Sequence, residues 1–310
     1  MSSVAKSPAN GDRPFIMRKG ISLLSDLADG AAAYGDLGMG NVFYVNGGSD
    51  GPTGATGQGT KERPYQTIKE ALACCITGHD DYVVVLNYGS NGRGTEDWPI
   101  LVTKDQVHII GVRQNEGNKW ATVKPDETDN AFTVTGQRCE FAGLEIGGYS
   151  TGSGIQIGNA VWGTTIHDCW FGVTGDTAGT NGIYVAAGAD APHSCFYHNR
   201  FGVHLTGDGI LIAGNATRSW ILDNSFYHIV GVAINITGAG GLNEISGNRF
   251  GMSAQTEGDA IKLSSGTSGI FLHNNHAAYG KTTDTTGYYV DAGSNDWGWN
   301  TVNGVSLRCT

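Results

Sequence analysis

Three ionisable residues precede three copies of one short motif, at a spacing that could bring them together. Asp168, His198 and Asp223 each stand directly before a CWF, NRF or NSF triplet. If these triplets occupy the same place in successive coils of a repeating fold, the imidazole lies between two carboxylates, which would raise its pKa. Such a group could act in acid–base catalysis, or it could be a structural ladder of ion pairs. Only the catalytic alternative requires a groove beside the column.

A second pair of carboxylates precedes two predicted strands. Asp208 in TGDGI and Asp259 in EGDAI occupy equivalent places, and two coils of a β-solenoid would separate them by about 9.6 Å. Inverting glycosidases hold two carboxyl groups about 6.5–9.5 Å apart, so the pair is compatible with hydrolysis. Gly-Asp before a strand is also ordinary turn chemistry, and this structural alternative is favoured.

Other kinds of site have weaker signals. Trp170 and Trp220 lie beside the repeated motifs and could be platforms for sugars, although packing at edges or subunit interfaces is favoured. None of the six cysteines forms a CxxC motif, and no Cys/His spacing matches zinc. The glycine-rich loop after residue 46 lacks the GK[ST] of a phosphate-binding loop. We therefore expect no metal and no cofactor.

Composition limits the fold and the partners. Of 310 residues 49 are glycine and only 15% are charged, which indicates an all-β protein with many tight turns. The 19 basic and 29 acidic residues give a net charge of −10, which argues against binding to nucleic acid or to an anionic membrane. No segment reaches 18 apolar residues, and the N-terminus lacks the apolar core of a signal peptide. We expect synthesis in a cytoplasm without export.

A repeat of about 25 residues predicts the architecture. Segments such as FYHNRF, ILDNSF and EISGNRF place an apolar residue three positions before a turn residue and an aromatic residue two positions after it. The turn column contains Cys169, Asn199, Asn224, Asn248 and Asn274, and the aromatic column contains Phe171, Phe201, Phe226 and Phe250, with His276 next. Glycine-led strands such as GIYV and GILI form a second, interleaved series. This repeat, without helices, predicts a parallel β-helix solenoid of about eight coils.

The N-terminal part of the chain differs from the repeats. An extended arm contains a short amphipathic helix whose Leu23, Leu24 and Leu27 must dock on the main body or on a partner. A further helix over 67–77 begins with a capping box formed by Thr67 and Glu70. These patterns predict four segments: an anchoring arm with its helix (1–40), an opening strand, glycine-rich loop and capping helix (41–88), the β-helix (89–300) and a C-terminal tail (301–310).

The asparagine column and the segment FYVNGGSDG…RPYQTIKEAL resemble the right-handed parallel β-helix proteins of the pectate-lyase-like superfamily, over roughly residues 41–300. The segment LLSDLADGAAAYGDLGMGNVFYVN is similar to the start of β-helix proteins carried by tailed bacteriophages, many of them marine. The second resemblance implies a non-enzymatic virion protein, either a capsid decoration or head protein or a fibre-like projection, tethered by its arm to other virion proteins. It also implies a homo-oligomer, such as a trimer.

Two alternatives to the virion scaffold remain open. One is a tailspike-type depolymerase, a glycoside hydrolase or polysaccharide lyase that cleaves host surface glycans. The other is a glycan-binding protein without catalysis. The repeat region has few basic residues, and no cluster of three carboxylates appears within one motif, so a lyase is disfavoured. These observations favour a scaffold that is not an enzyme.

Overall fold

The chain folds as an all-β solenoid. A computed structural model describes residues 40–48, 57–87, 96–112, 121–125, 129–147, 151–172, 179–202, 205–238, 244–251, 258–278, 289–302 and 305–307. The predicted N-terminal arm, with Leu23, Leu24 and Leu27, lies outside these residues, so its anchoring role stays a prediction. None of the described helices is long and apolar enough to cross a membrane.

One short helix covers the N-terminal end of the solenoid. Helix α1 (Ile68–Cys74) begins with the predicted capping box, in which Thr67 accepts from the backbone of Glu70 and the Glu70 side chain accepts from the backbone of Thr67. It ends earlier than the predicted residue 77, because the fully buried Asp81 accepts a hydrogen bond from the Ile76 N–H at 2.6 Å. That bond draws the chain away from the helix axis and towards the first sheet.

Three sheets form the walls of the solenoid, and their strands are numbered along the chain. Sheet A contains, in spatial order, β1 (Val42–Asn46), β2 (Asp81–Asn87), β4 (Val107–Gly111), β7 (Glu140–Ala142), β10 (Thr165–His167), β13 (Cys195–Tyr197), β16 (Trp220–Leu222), β19 (Glu244–Ser246), β22 (Ser268–His273) and β25 (Ser294–Trp297). Sheet B contains β3 (Ile100–Val102), β6 (Phe132–Val134), β9 (Ser153–Ile157), β12 (Asn181–Val185), β15 (Ile210–Ile212), β18 (Ile234–Ile236), β21 (Ile261–Leu263) and β24 (Tyr289–Asp291).

Sheet C follows sheet A in each coil from β4 onward. It contains β5 (Ala121–Val123), β8 (Leu144–Ile146), β11 (Trp170–Phe171), β14 (Arg200–Phe201), β17 (Ser225–Tyr227), β20 (Arg249–Gly251), β23 (His276–Ala278), β26 (Asn300–Val302) and β27 (Val305–Leu307). The last strand pairs antiparallel with β26, whereas the other pairings are parallel. Part of the segment 301–310, predicted as a tail, thus belongs to sheet C.

The coils repeat in the order B, A, C. Sheet B supplies eight strands, and each begins a coil that continues into sheets A and C. Seven steps lead from the first of these coils to the last, so the solenoid makes about seven turns. This confirms the prediction of a parallel β-helix with a capping helix, and the architecture matches the right-handed class. Every coil sends apolar side chains inward, where they form one continuous core.

A stack of phenylalanine rings forms one wall of that core. Phe171, Phe201, Phe226 and Phe250 occupy the same position of sheet C in successive coils, with ring centroids 5.0, 4.6 and 5.1 Å apart and planes within 13° of parallel. All four are buried. The stack ends at Ala277, which pairs with Phe250, and not at the predicted His276.

A ladder of buried asparagines runs along the turn between sheets A and C. We call Asn199, Asn224, Asn248, Asn275 and Asn300 the asparagine ladder. In each step the side-chain oxygen of one asparagine accepts from the backbone N–H and side-chain amide of the asparagine in the preceding coil, at 2.9–3.1 Å. Each amide also donates to a sheet A carbonyl, as Asn224 does to Phe196 at 2.9 Å.

The predicted register is wrong by one residue in the segment FLHNNH. Asn275, not Asn274, is the buried ladder residue, and Asn274 is exposed. Leu272 fills the inward position assigned to Phe271, whose side chain is 48% exposed. The error has a simple cause, because two adjacent asparagines fit the motif equally well.

Candidate functional site

The corner between sheets A and C carries the first group of predicted site residues. Asp168, His198, Asp223, Gly247 and Asn274 occupy equivalent corners, and all have φ between +51° and +69°. We call them the corner column. Asp, Asn and Gly tolerate this left-handed conformation best. The next residue in each of these turns is buried, so the corner residue itself faces solvent.

The corner column does not assemble the predicted carboxylate–imidazole–carboxylate group. His198 Nε2 lies 3.8 Å from Asp223 Oδ2, and these side chains are 49% and 63% exposed. Asp168 instead accepts from His167 Nδ1, at 2.8 Å. In the coil that follows Gly247, Asn274 occupies the corner, and His273 lies before it in β22 and contacts Glu244. The imidazole of His198 therefore has one weak acidic neighbour.

Asp208 and Asp259 each lie two residues before a strand of sheet B, and these strands are two coils apart. Val232 holds the equivalent position in the coil between them. Both oxygens of Asp208 are occupied: Oδ1 accepts from the Val232 N–H at 2.7 Å and Oδ2 accepts from the Asn235 amide at 2.8 Å. This carboxylate fastens one coil to the next. The arrangement supports the turn function of Asp208.

Replacing Asp208 with alanine is expected to lower the free energy of unfolding by about 1–2 kcal/mol, because two hydrogen bonds are lost and a backbone donor is left without its partner. Urea denaturation followed by far-UV circular dichroism measures this change. The control is Asp190→Ala, which removes an exposed carboxylate bonded to Asn215 and should cost less than about 0.5 kcal/mol. Equal stability of Asp208→Ala and wild type would contradict the fastening role.

A denser group of ionisable residues lies on the outer face of sheet A. His108 Nδ1 and His167 Nε2 contact the two oxygens of Glu140, at 2.6 and 2.8 Å. Asp80 lies 3.5 Å from His108 Nε2, and Asp168 lies 2.8 Å from His167 Nδ1. We call these five residues the His–Glu–His cluster. Tyrosine rings stack on both ends, at 4.4 Å from His108 and 4.7 Å from His167.

Hydrogen bonding outweighs burial in this cluster. Burial alone would raise the pKa of Glu140, but the hydrogen bonds from the two histidines lower it to about 2. Burial alone would lower the pKa of His167, but Asp168 and Glu140 raise it to about 9. The pKa of His108 is raised for the same reason. At neutral pH the charged forms of Glu140 and His167 therefore dominate.

The His–Glu–His cluster is built to hold coils together. Each ring nitrogen of His108 and His167 already faces a carboxylate, so none is available to a substrate. Sequence reasoning missed this cluster. Its signal was an ionisable residue at outward positions of VHIIG, CEFAG and TIHDC. The unequal coil lengths of 32 and 25 residues hid which of these residues meet.

A cleft opens on the outer face of sheet C, beside the corner column. Its volume is about 260 Å³, and its lining residues are Trp170, Gly172, Arg200, Phe201, Gly202, Ser225 and Tyr227. Trp170 and Arg200 stand two residues after Asp168 and His198 of the corner column. We call this feature the sheet C cleft. Its lining residues belong to sheet C and to the turn after it, and the corner column is not among them, so the cleft does not test the catalytic interpretation of that column.

Two aromatic rings and one guanidinium group define the sheet C cleft. The indole of Trp170 leans over Gly202 of the next coil, where an added Cβ would lie 3.3 Å from Nε1. The Tyr227 ring, 55% exposed, stands on the other side. Arg200 is exposed between them and forms no ion pair with any described residue. The cleft thus presents apolar ring faces and a free positive charge.

The two predicted tryptophan platforms separate in the structure. Trp170 lines the sheet C cleft, whereas Trp220 lies on sheet A, outside the cleft, with 38% of its surface exposed.

Within the described ranges, no three His, Cys, Asp or Glu side chains are arranged to hold a metal ion.

Comparison with known proteins identifies the fold and not a family. No family model matches the chain, and no curated protein matches it in sequence. Among solved structures, the chain is similar to an alginate lyase from Paenibacillus sp. str. FPU-7, with 14% identity and a TM-score of 0.56, covering 76% of this chain and 83% of that one. At this identity the likeness shows a shared β-helix fold alone.

Two further solved structures are more distant. A rhamnogalacturonan lyase has 11% identity and a TM-score of 0.43, covering 86% of this chain and 66% of its own. A GH136 lacto-N-biosidase from Eubacterium ramulus has 10% identity and a TM-score of 0.32, covering 92% of this chain and 71% of its own.

Proposed function

We propose that the protein binds an acidic glycan in the sheet C cleft. The observation that carries this proposal is the exposed guanidinium group of Arg200 between the rings of Trp170 and Tyr227, which forms no ion pair within the described part of the chain. The apolar face of a sugar ring packs on an aromatic ring, while its hydroxyl groups stay in water. A guanidinium group binds a carboxylate through two parallel hydrogen bonds. The combination favours sugars that bear a carboxylate.

The charge of the whole protein sharpens this proposal. With a net charge of −10, the molecule repels acidic polymers at a distance. An acidic glycan therefore needs a local cation, and Arg200 supplies one. The alginate lyase that shares the fold acts on an acidic polysaccharide, which agrees with the ligand class proposed here. The proposal takes no activity from that enzyme.

Binding without cleavage is the function that these residues support best. Asp208 and the His–Glu–His cluster already have hydrogen-bond partners, and His198 has one distant acidic neighbour. The virion role implied by the bacteriophage resemblance rests on the arm, outside the described residues, and stays a prediction. A rod with a glycan site on its side is compatible with a projection that contacts a host surface.

Trp170→Ala is expected to weaken binding of oligouronate fragments at least about tenfold, because it removes the stacking surface of the cleft. Titration calorimetry with a uronate hexasaccharide and with a neutral hexasaccharide measures affinity and charge preference. The matched control is Trp220→Ala, which removes a half-exposed tryptophan from sheet A and should bind like wild type.

The same samples test cleavage. After incubation with the wild-type protein, the hexasaccharide should keep its length in size-exclusion chromatography. Shortened products would favour the depolymerase alternative. If the wild-type protein shows no affinity for any acidic oligosaccharide, or if Trp220→Ala weakens binding as much as Trp170→Ala, the proposed cleft is wrong.

A further inference from the structure

A ring, a glycine and an arginine also meet two coils further along sheet C, with the ring at a different position of the strand: Trp170 pairs with Arg200, whereas Tyr227 pairs with Gly251. The Tyr227 ring leans over Gly251 of the following coil, where an added Cβ would lie 3.1 Å from Cδ2. Arg249 stands two residues before that glycine, as Arg200 stands two residues before Gly202. The first unit is thus Trp170, Gly202 and Arg200. The second unit is Tyr227, Gly251 and Arg249.

The register of sheet C places the two arginines in one column, with Trp170 in the same column and Tyr227 in the column of the glycines. Trp170, Arg200, Ser225 and Arg249 follow one another at the same outward position in successive coils. Two coils separate Arg200 from Arg249, so their Cα atoms lie about 9.6 Å apart along the solenoid axis. The serine between them carries no charge. The two arginines of this column are thus separated by one coil without a charge at this position.

The guanidinium group of Arg249 is as available as that of Arg200. It is exposed, and it forms no ion pair with any residue in the described part of the chain. Its neighbour in the next coil is His276, also exposed, whose Nδ1 is paired with the Thr301 hydroxyl. No carboxylate occupies the same column of sheet C from Arg200 to Thr301. The carboxylate of this column, Glu145, stands four coils before Arg249 and accepts a hydrogen bond from Thr122, so an anion at Arg249 meets no like charge in the adjacent coils of the column.

We propose that the second unit is a further subsite for the same acidic glycan, which then lies parallel to the solenoid axis with Tyr227 between the two subsites. This inference rests on the proposed function and extends it to the length and charge spacing of the ligand. Chains long enough to reach both arginines bind through two charged contacts. Shorter chains bind in the sheet C cleft, because Arg200 lines this cleft and Arg249 does not.

The experiment compares uronate oligosaccharides of two, four and six residues by titration calorimetry. For the wild-type protein we expect affinity to rise at least about tenfold from the shortest to the longest chain, because a second bidentate contact is added. Arg249→Ala should remove this increase and leave affinity for the disaccharide unchanged. Lys262→Ala is the matched control, since it removes an exposed cation from sheet B.

Each outcome separates this inference from the proposed function. If Arg200→Ala loses binding at every length while Arg249→Ala behaves like Lys262→Ala, the cleft stands and the second subsite is wrong. If Arg249→Ala weakens the disaccharide as much as the hexasaccharide, Arg249 belongs to the first subsite and the inference is also wrong. If the wild-type protein binds none of the chains, both proposals fail. Thermal melts of all variants verify the fold.

Discussion

Replacing Asn275 with alanine is expected to lower the free energy of unfolding by about 3–4 kcal/mol, since the change removes about four buried hydrogen bonds of about 1 kcal/mol each. The Asn275 amide donates to the Ile245 carbonyl and to Asn300 Oδ1, at 2.8 and 2.9 Å. Its side-chain oxygen accepts from the backbone and side chain of Asn248, at 3.1 and 3.0 Å. Alanine leaves these buried groups without partners.

The adjacent residue provides the matched control for this prediction. Asn274 is exposed and has a φ of +54°, a conformation that glycine adopts freely. Asn274→Gly should therefore change stability by less than about 0.5 kcal/mol. Urea denaturation of the two variants measures the difference. A greater loss for Asn274→Gly than for Asn275→Ala would show that the ladder passes through Asn274, as the sequence motif alone predicts.

Features that repeat inside the solenoid could be predicted from the sequence. Inward positions accept few residue types, because each must fill the same space above and below an identical neighbour. The phenylalanine column from Phe171 to Phe250 and the asparagines at 199, 224 and 248 are visible for this reason. The motif failed only at FLHNNH, where adjacent asparagines offered two registers.

Outward features could not be predicted in the same way. Packing does not restrict the side chains on the outer face, so the sequence offers Trp170 as a candidate platform but does not show that it meets Arg200 and Tyr227. Their meeting depends on which coil each occupies and on which way each ring leans. The contact between His108 and Glu140 likewise joins residues 32 apart, in coils of unequal length. Only the pairing of strands in the structure shows which outward side chains of different coils lie side by side.

The His–Glu–His cluster makes stability depend on pH in a defined direction. The pKa of His167 is raised from 6.5 to about 9, so its contribution is complete below pH 6.5 and is lost as the pH rises through 9. The pKa of Glu140 is lowered from 4.5 to about 2, so its contribution is complete above pH 4.5 and is lost as the pH falls through 2. Both contributions are complete together between about pH 4.5 and 6.5.

Glu140→Gln is therefore expected to cost about 2–3 kcal/mol at pH 5.5, because it leaves two partly buried imidazolium groups without their shared carboxylate. At pH 10 the cost should fall below about 1 kcal/mol, since His167 is then neutral in the wild-type protein as well. Chemical denaturation at both values measures the difference. Glu244→Gln is the control, because Glu244 serves one histidine, His273 at 3.0 Å, and its loss should cost less than half as much. A cost for Glu140→Gln that is the same at pH 5.5 and pH 10 would mean that packing, and not charge, joins these coils.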